Sequence, residues 1–303
     1  MNGVLIVDKP SGVTSHDVVS VIRRLCGTRQ TGHAGTLDPM ATGVLTVLVG
    51  RAVKASEYLL SGDKTYRAVM RLGVTTDTGD ATGRVTATSD HIPAFETVSR
   101  AVEEFTGEQF QTPPMYSALK VGGVKLCDAA RKGIEIPREP RRINVYSISA
   151  SKTFNPREVN LEVSCSGGTY IRTLCEDIGK KLGCGATLAA LRRTRACGFD
   201  VSGATPLDEL SKLGPEGIKE LLVPVERLFD DLSSVSLPEF FEKLCKNGCP
   251  IYLKKLGCPS PGPVGTRVRL LDRNGTFFAL GEVAETPDGE AVRAIKRFDI
   301  LNG

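Results

Sequence analysis

The sequence predicts an α/β (α+β) chain, one large unit of alternating strands and helices followed by a small β tail. Three observations carry this. First, runs of period two, such as Lys64–Gly73, and apolar stripes at helical spacing, such as Val18, Ile22 and Leu25, succeed one another along the chain. Second, 303 residues exceed one typical domain. Third, a polar break, Phe229-Asp230-Asp231-Leu232-Ser233-Ser234, precedes a stretch of strand patterns built around the hairpin signal Asn274-Gly275. The expected units are therefore residues 1–232 and 235–303.

Composition narrows the class. Hydrophobic and charged contents of 41% and 24% are ordinary for a soluble globular protein. A net charge of +4 is compatible with a polyanionic partner. No charge-free apolar run is long enough to cross a bilayer, and Asp8 interrupts the N-terminal apolar segment too early for a signal peptide, so a cytoplasmic protein is expected. Nine scattered cysteines contain no Cys-x-x-Cys pair, and the group Cys245, Cys249 and Cys258 has no histidine nearby. Reduced thiols and no metal site are expected.

In chain order, Gly3–Val7 reads as a strand, and Thr14 or Ser15 caps the helix that carries Arg23 and Arg24 outward. Lys9, in the intervening turn, is either a solvated charge or a contact to an anion. Gly32-His33-Ala34-Gly35-Thr36-Leu37-Asp38-Pro39-Met40-Ala41-Thr42-Gly43 then holds three glycines and a single carboxylate. Pro39 restricts the backbone of Asp38 and fixes its own φ, so the carboxylate is aimed before tertiary contacts form. It is either a turn residue bonding its own backbone or a reactive group. The run Val44–Val49 anchors the loop as a buried strand. A helix follows over 51–60. In Lys64–Gly73 period two sets Lys64, Tyr66, Ala68 and Met70 on one face. Thr76–Gly83 is a polar loop around Asp80, and 97–105 is an amphipathic helix. Arg138, Arg141 and Arg142 lead into a strand at 143–148, with a solvated turn and a phosphate contact both open. Tyr170 and Arg172, two residues apart after Val159–Ser166, share a face on an extended backbone. The tail reads as a helix over 238–246 and strands at 266–271, 276–283 and 291–295.

The loop at 32–43 resembles the catalytic signature of the TruB family of tRNA pseudouridine synthases. Further blocks match that family in order: Lys9-Pro10-x-Gly12 with Thr14-Ser15-His16, Lys64-Thr65-Tyr66, Gln111–Lys120, Gly168-Thr169-Tyr170-Ile171-Arg172, and Leu191. Two departures stand out. Cys127 replaces a usual tyrosine, and the family's next glycine falls one residue before Gly198, which predicts a shifted strand start there. The resemblance implies a large mixed, mainly antiparallel sheet with outer helices and a PUA-type RNA-binding tail. It implies isomerisation of the uridine at position 55 in the tRNA T loop, with the base flipped out of its stack.

By the same resemblance, Asp38 is the catalytic residue, attacking carbon or removing the ribose 2′ proton. Arg172 and Asp80 hold it, and Arg172 is expected to lower its pKa and keep it ionised. Tyr66 stacks on the uracil and helps remove the C5 proton, Tyr170 lines the pocket, Leu191 supports the base, and His33 fills the space the bases leave. Lys9, Lys54, Arg141 and Arg142 are the candidate RNA contacts. Substrate and product are isomers, so no cofactor is expected, and no dinucleotide or Walker-type motif is present. The implied partner is tRNA, through its T arm, with the protein acting as a monomer. Two rivals are a non-catalytic RNA chaperone and an aspartyl-phosphate enzyme. The second wants more acids beside Asp38 than Pro39 leaves room for.

Overall fold

Period-two segments assemble into two main sheets in the computed structural model, which describes residues 1–299; positions 300–303 of the expected tail lie outside the described residues. Strand β1 (Gly3–Lys9), helix α1 (Ser15–Leu25) and strands β2 (Thr31–Ala34) and β3 (Thr42–Val49) open the chain. Thr14 caps α1 in a reciprocal box: its hydroxyl accepts the Asp17 amide at 3.1 Å, and the Asp17 carboxylate accepts the Thr14 amide at 2.8 Å. Val18 and Ile22 of α1 then pack on Leu5, Val7, Leu45 and Val47 of β1 and β3.

The helix expected over 51–60 forms as a 3₁₀ turn, Gly50–Ala55, and a single α turn, α2 (Ser56–Leu59). It stops there because the buried Lys64 ammonium, at the start of β4 (Lys64–Leu72), takes the carbonyls of Leu60 and Gly62. A small hairpin, β5 (Val74–Thr76) and β6 (Val85–Thr88), encloses Asp80. Helix α3 (Phe95–Glu103) and strand β7 (Gly107–Gln111) follow. A short excursion, β8 (Lys120–Val121), β9 (Val124–Lys125) and α4 (Leu126–Arg131), leads to β10 (Arg141–Lys152), β11 (Glu158–Cys165), α5 (Ile171–Lys181), β12 (Ala186–Ala196), β13 (Phe199–Asp200) and β14 (Thr205–Pro206).

The large sheet runs β14-β1-β3-β12-β4-β11-β10-β7, with β2 on β3 and β13 on β12. Only β1/β14 and β3/β12 are parallel pairs, so the sheet is mixed and mainly antiparallel. Tyr66, Ala68, Met70 and Leu72 of β4 face the core shared with α3 and α5, while Arg67 and Arg71 face out. The alternation predicted for this strand therefore sets which face carries the site.

One further reading changes. Tyr170 and Arg172 do not share an extended backbone: α5 begins at Ile171, so Tyr170 stands just outside the helix and Arg172 in its first turn. The helix is favoured because Ile171, Leu174 and Ile178 then form one buried stripe. Cys197 takes the left-handed conformation itself, at φ 54°, beside Gly198 at φ 79°, and these two close the β12–β13 hairpin between Ala196 and Phe199. A side chain there costs roughly 1–2 kcal/mol over glycine.

The tail forms a second sheet in the order β15-β17-β18-β19-β16, from β15 (Ser234–Ser236), β16 (Ile251–Tyr252), β17 (Arg267–Leu271), β18 (Phe277–Thr286) and β19 (Gly289–Arg297), with helix α6 (Glu239–Lys246) beside it. It has its own core around Leu237, Val268, Phe278 and Val292. It is also joined to the large unit through Phe229, whose ring centroid lies 5.9 Å from that of Phe277 and 5.8 Å from that of Phe298. Phe229→Ala should therefore cost about 3–5 kcal/mol, measured by urea unfolding. A loss below about 1 kcal/mol would mean that the two units do not depend on this contact.

Candidate active site

The Asp38 loop is held by backbone capture from three sides. Lys9 is fully buried, and its ammonium donates to the carbonyls of Ala41 at 2.6 Å, Pro10 at 2.9 Å and Pro39 at 3.2 Å. Ser15, at the start of α1, accepts the Leu37 amide at 2.8 Å and donates to the Leu37 carbonyl at 3.0 Å. From β12, Arg193 donates to the carbonyls of Val44, Gly35 and Thr36 at 2.8, 3.1 and 3.3 Å. Gly43 closes the loop at φ 100°, where a Cβ would lie 2.2 Å from the Arg193 carbonyl oxygen, so only glycine fits.

The carboxylate of Asp38 is left for one partner. Arg172 approaches it twice, with Nε 3.0 Å from Oδ2 and Nη2 donating to Oδ1 at 3.3 Å. The same guanidinium donates to the carbonyls of Thr78 at 3.0 Å and Tyr116 at 2.7 Å, and its Nη1 lies 3.6 Å from Asp80 Oδ2. Asp80 is itself buried and fixed, accepting the Thr82 amide at 3.0 Å and the hydroxyls of Thr78 and Thr82 at 2.9 and 2.5 Å. The hairpin carrying it is pinned to β12 by Ala81 donating to the Leu188 carbonyl. Arg172 is placed by the capture of α5: the buried Gln111 amide group bonds both the amide and the carbonyl of Tyr170, at 2.8 and 3.1 Å.

Around this ion pair lies a cavity of about 380 Å³. Asp38, Tyr66, Tyr170, Arg172, Leu191 and Arg193 line it, together with Ser117, Ala118 and Leu119. Tyr66 and Leu191 project from adjacent strands of the buried face, giving the space apolar walls and a charged end. A larger cleft of about 810 Å³ lies by the outer face of β4 and β11. Its charges are already matched, Arg67 with Glu162 at 2.9 Å and Arg192 with Asp8 at 2.6 Å.

Electrostatics inside the cavity differ from expectation in one respect. Burial pushes the Asp38 carboxyl above the usual carboxylate range; Arg172 pulls it back, Asp80 pushes it up again and Lys9 lowers it, and burial prevails. Burial likewise raises the Tyr66 phenol against the pull of Arg193. His33 is held neutral, lowered by burial, Arg193 and His16, and its Nδ1 is buried without a partner among the described residues. Burial lowers Lys9 to about 8.

Of the expected site residues, Asp38, Tyr66, Asp80, Tyr170, Arg172 and Leu191 are brought together. Arg141 is exposed at the cavity rim, and Arg142 beside it pairs with Glu108. His33 sits on β2, paired with Val47 of β3, and does not line the cavity. Lys54 is exposed but turned to the tail, donating to the Arg297 carbonyl at 3.3 Å. Lys9 is placed against its expectation: it is neither solvated nor free for phosphate, because its proton donors are spent on loop carbonyls. Arg193, Ser15 and Gln111 were missed. Arg193 had a signal, since period two from Leu191 puts it on the buried face.

Because Asp38 has a folded pKa above its unfolded value near 3.9, its ionisation opposes folding. Stability from this group falls as pH rises from that value through the raised one. Asp38→Asn should therefore melt at a higher temperature than the parent at pH 7, the gain shrinking towards pH 4. A lower melting temperature at pH 7 would show that Arg172 outweighs burial.

Two family models match the chain, TruB family pseudouridylate synthase (N terminal domain) over residues 23–171 and tRNA pseudouridylate synthase B C-terminal domain over residues 172–230. The chain is 47% identical to tRNA pseudouridine synthase B of Syntrophotalea carbinolica over 263 residues, 86% of this chain and 82% of that one. It is 42% identical to tRNA pseudouridine synthase B of Clostridium tetani over 257 residues, 84% and 88% of the two chains. Among solved structures, a chain of an H/ACA RNP bound to a substrate RNA containing 2′-deoxyuridine superposes with a TM-score of 0.74 at 26% identity, covering 99% of this chain and 86% of that one. A chain of a Cbf5-Nop10-Gar1 complex gives 0.72 at 26%, covering 98% and 85%. The tail sheet, beyond both family models, is consistent with a PUA-like domain.

Proposed function

This chain belongs to the TruB family of pseudouridylate synthases, and from that membership we propose that it converts the uridine at position 55 of the tRNA T loop to pseudouridine. The observation that carries the reading is the Asp38–Arg172 pair at the end of a cavity walled by Tyr66 and Leu191. In family members that act on tRNA, the reaction breaks the N1 glycosidic bond, turns the base and rejoins it through C5. Asp38 begins it, and the planar fork of Arg172 keeps one carboxylate face towards the sugar. Asp80 braces Arg172 from behind.

The target uridine is flipped out of its stack, at a cost of a few kcal/mol offset by contacts in the pocket. Tyr66 stacks on one side of the ring and Leu191 supports the other, while Tyr170 closes the rim. His33, neutral and half-buried, occupies the space left in the loop. Arg141 and Arg142 contact phosphates at the rim, and Lys54 contacts the backbone where the two units meet. Arg142 does so by exchanging an exposed pairing with Glu108, which is worth little to stability. Isomers exchange no electrons or groups with a third molecule, so the residues above suffice for the chemistry. In this reading the protein works as a cytoplasmic monomer, with tRNA as its macromolecular partner.

Incubation with unmodified tRNA, followed by chemical mapping of pseudouridine, tests the reading. One new pseudouridine at position 55 is expected. A pseudouridine elsewhere in the tRNA would change the target, and none at all would return the protein to a binding role.

A further inference from the structure

Arg193 is 1% exposed and has no carboxylate partner among the described residues. Its neighbours among titratable groups are Lys9, Lys64, His33, Cys197 and Tyr66, none of them an acid at neutral pH. A buried cation without a counter-charge is costly, and hydrogen bonds to neutral carbonyls offset that only in part. An anion that forms next to it would lower that cost.

Geometry names that group. Arg193 stands directly opposite Tyr66 in the antiparallel pairing of β12 and β4, on the cavity side of both strands. A guanidinium carries five N–H donors, and three are committed to Val44, Thr36 and Gly35. Two remain, and as directly opposed cross-strand neighbours Arg193 and Tyr66 start from Cβ atoms about 4.5–5.5 Å apart. Of the other groups facing that hydroxyl, the Asp38 carboxyl and the Cys165 thiol both oppose its ionisation. One side chain thus holds both ends of the Asp38 loop and stands across from the phenol.

We propose that Arg193 is a positioning residue of the reaction, clamping the two ends of the Asp38 loop while its remaining donors steady the Tyr66 oxygen as that oxygen takes the C5 proton. In that step the C5–H bond breaks, its electron pair forms the C5–C6 double bond, the C6–N1 π pair moves onto N1, which takes a proton from water, and the ionised phenol becomes neutral. The phenol afterwards loses its proton to water. Asp38 chemistry and Tyr66 chemistry then share one mechanical support, which explains an arginine, rather than an apolar residue, at this buried position. The proposal rests on the isomerase reading above.

Arg193→Lys and Arg193→Gln are compared with the parent and with Tyr66→Phe in each background. The readouts are single-turnover pseudouridine formation on unmodified tRNA across pH, filter binding of the same tRNA, and thermal melting. Arg193→Lys should melt cooperatively and bind tRNA within about threefold of the parent. Its rate at pH 7 should fall about 10–100-fold, and the rising limb of its pH profile should move to higher pH. Adding Tyr66→Phe should then cost less than it costs the parent. An unmoved pH limb with multiplicative losses would make Arg193 a structural brace only and overturn the proposal. So would unfolding of both Arg193 variants. A parent protein that forms no pseudouridine would overturn the isomerase reading itself, which distinguishes that failure from this one.

Discussion

The site depends on one buried guanidinium. Arg172 spends its donors on the Asp38 carboxylate, the carbonyls of Thr78 and Tyr116, and the nearby Asp80. These partners come from the loop after β2, the β5–β6 hairpin and the segment before β8, which share no secondary structure. Buried ion pairs contribute little net stability, because desolvation consumes most of the attraction. Their value here is direction. The planar fork admits one arrangement of the three segments, and that arrangement sets the cavity.

The rest of the loop is held without acids. Lys9 and Arg193 donate only to carbonyls, so the Asp38 loop is fixed through its backbone and leaves its carboxylate uncommitted except to Arg172. Such an arrangement accommodates an acid that must change its bonding during reaction. Burial also lifts Asp38 above the ordinary carboxylate range, which makes it a better base or nucleophile than a solvated aspartate while Arg172 limits the rise.

How much of this was legible follows from what each residue signals. Asp38 stood out because glycines and Pro39 restrict its backbone covalently, and covalent restriction is visible in a sequence. The face of Tyr66 followed from alternation in a strand that stays regular over nine residues. The tail hairpin followed from Asn274-Gly275, where Asp272 accepts the amides of Asn274 and Thr276 at 2.8 and 2.9 Å. Arg172 was found by resemblance, yet its geometry was misjudged because a glycine-flanked strand end and a helix start look alike over four residues. Lys9 and Arg193 were hidden by their charge: a lysine or arginine reads as solvated until the fold brings carbonyls from segments 30 or about 150 residues away. The pKa of Asp38 was misjudged for a related reason, since a named charge partner is legible in a family pattern and burial is not.

In the proposed reaction Asp38 acts chemically rather than as a fold or binding residue. Single-turnover pseudouridine formation by Asp38→Asn, beside filter binding of the same tRNA, tests it most directly. The amide keeps size and hydrogen-bonding capacity but cannot attack carbon as an anion or accept a proton at neutral pH. Parental affinity is expected with a rate lowered by more than about 10⁴-fold, beyond what general-base help alone supplies. Turnover within about tenfold of the parent, at unchanged affinity, would contradict it.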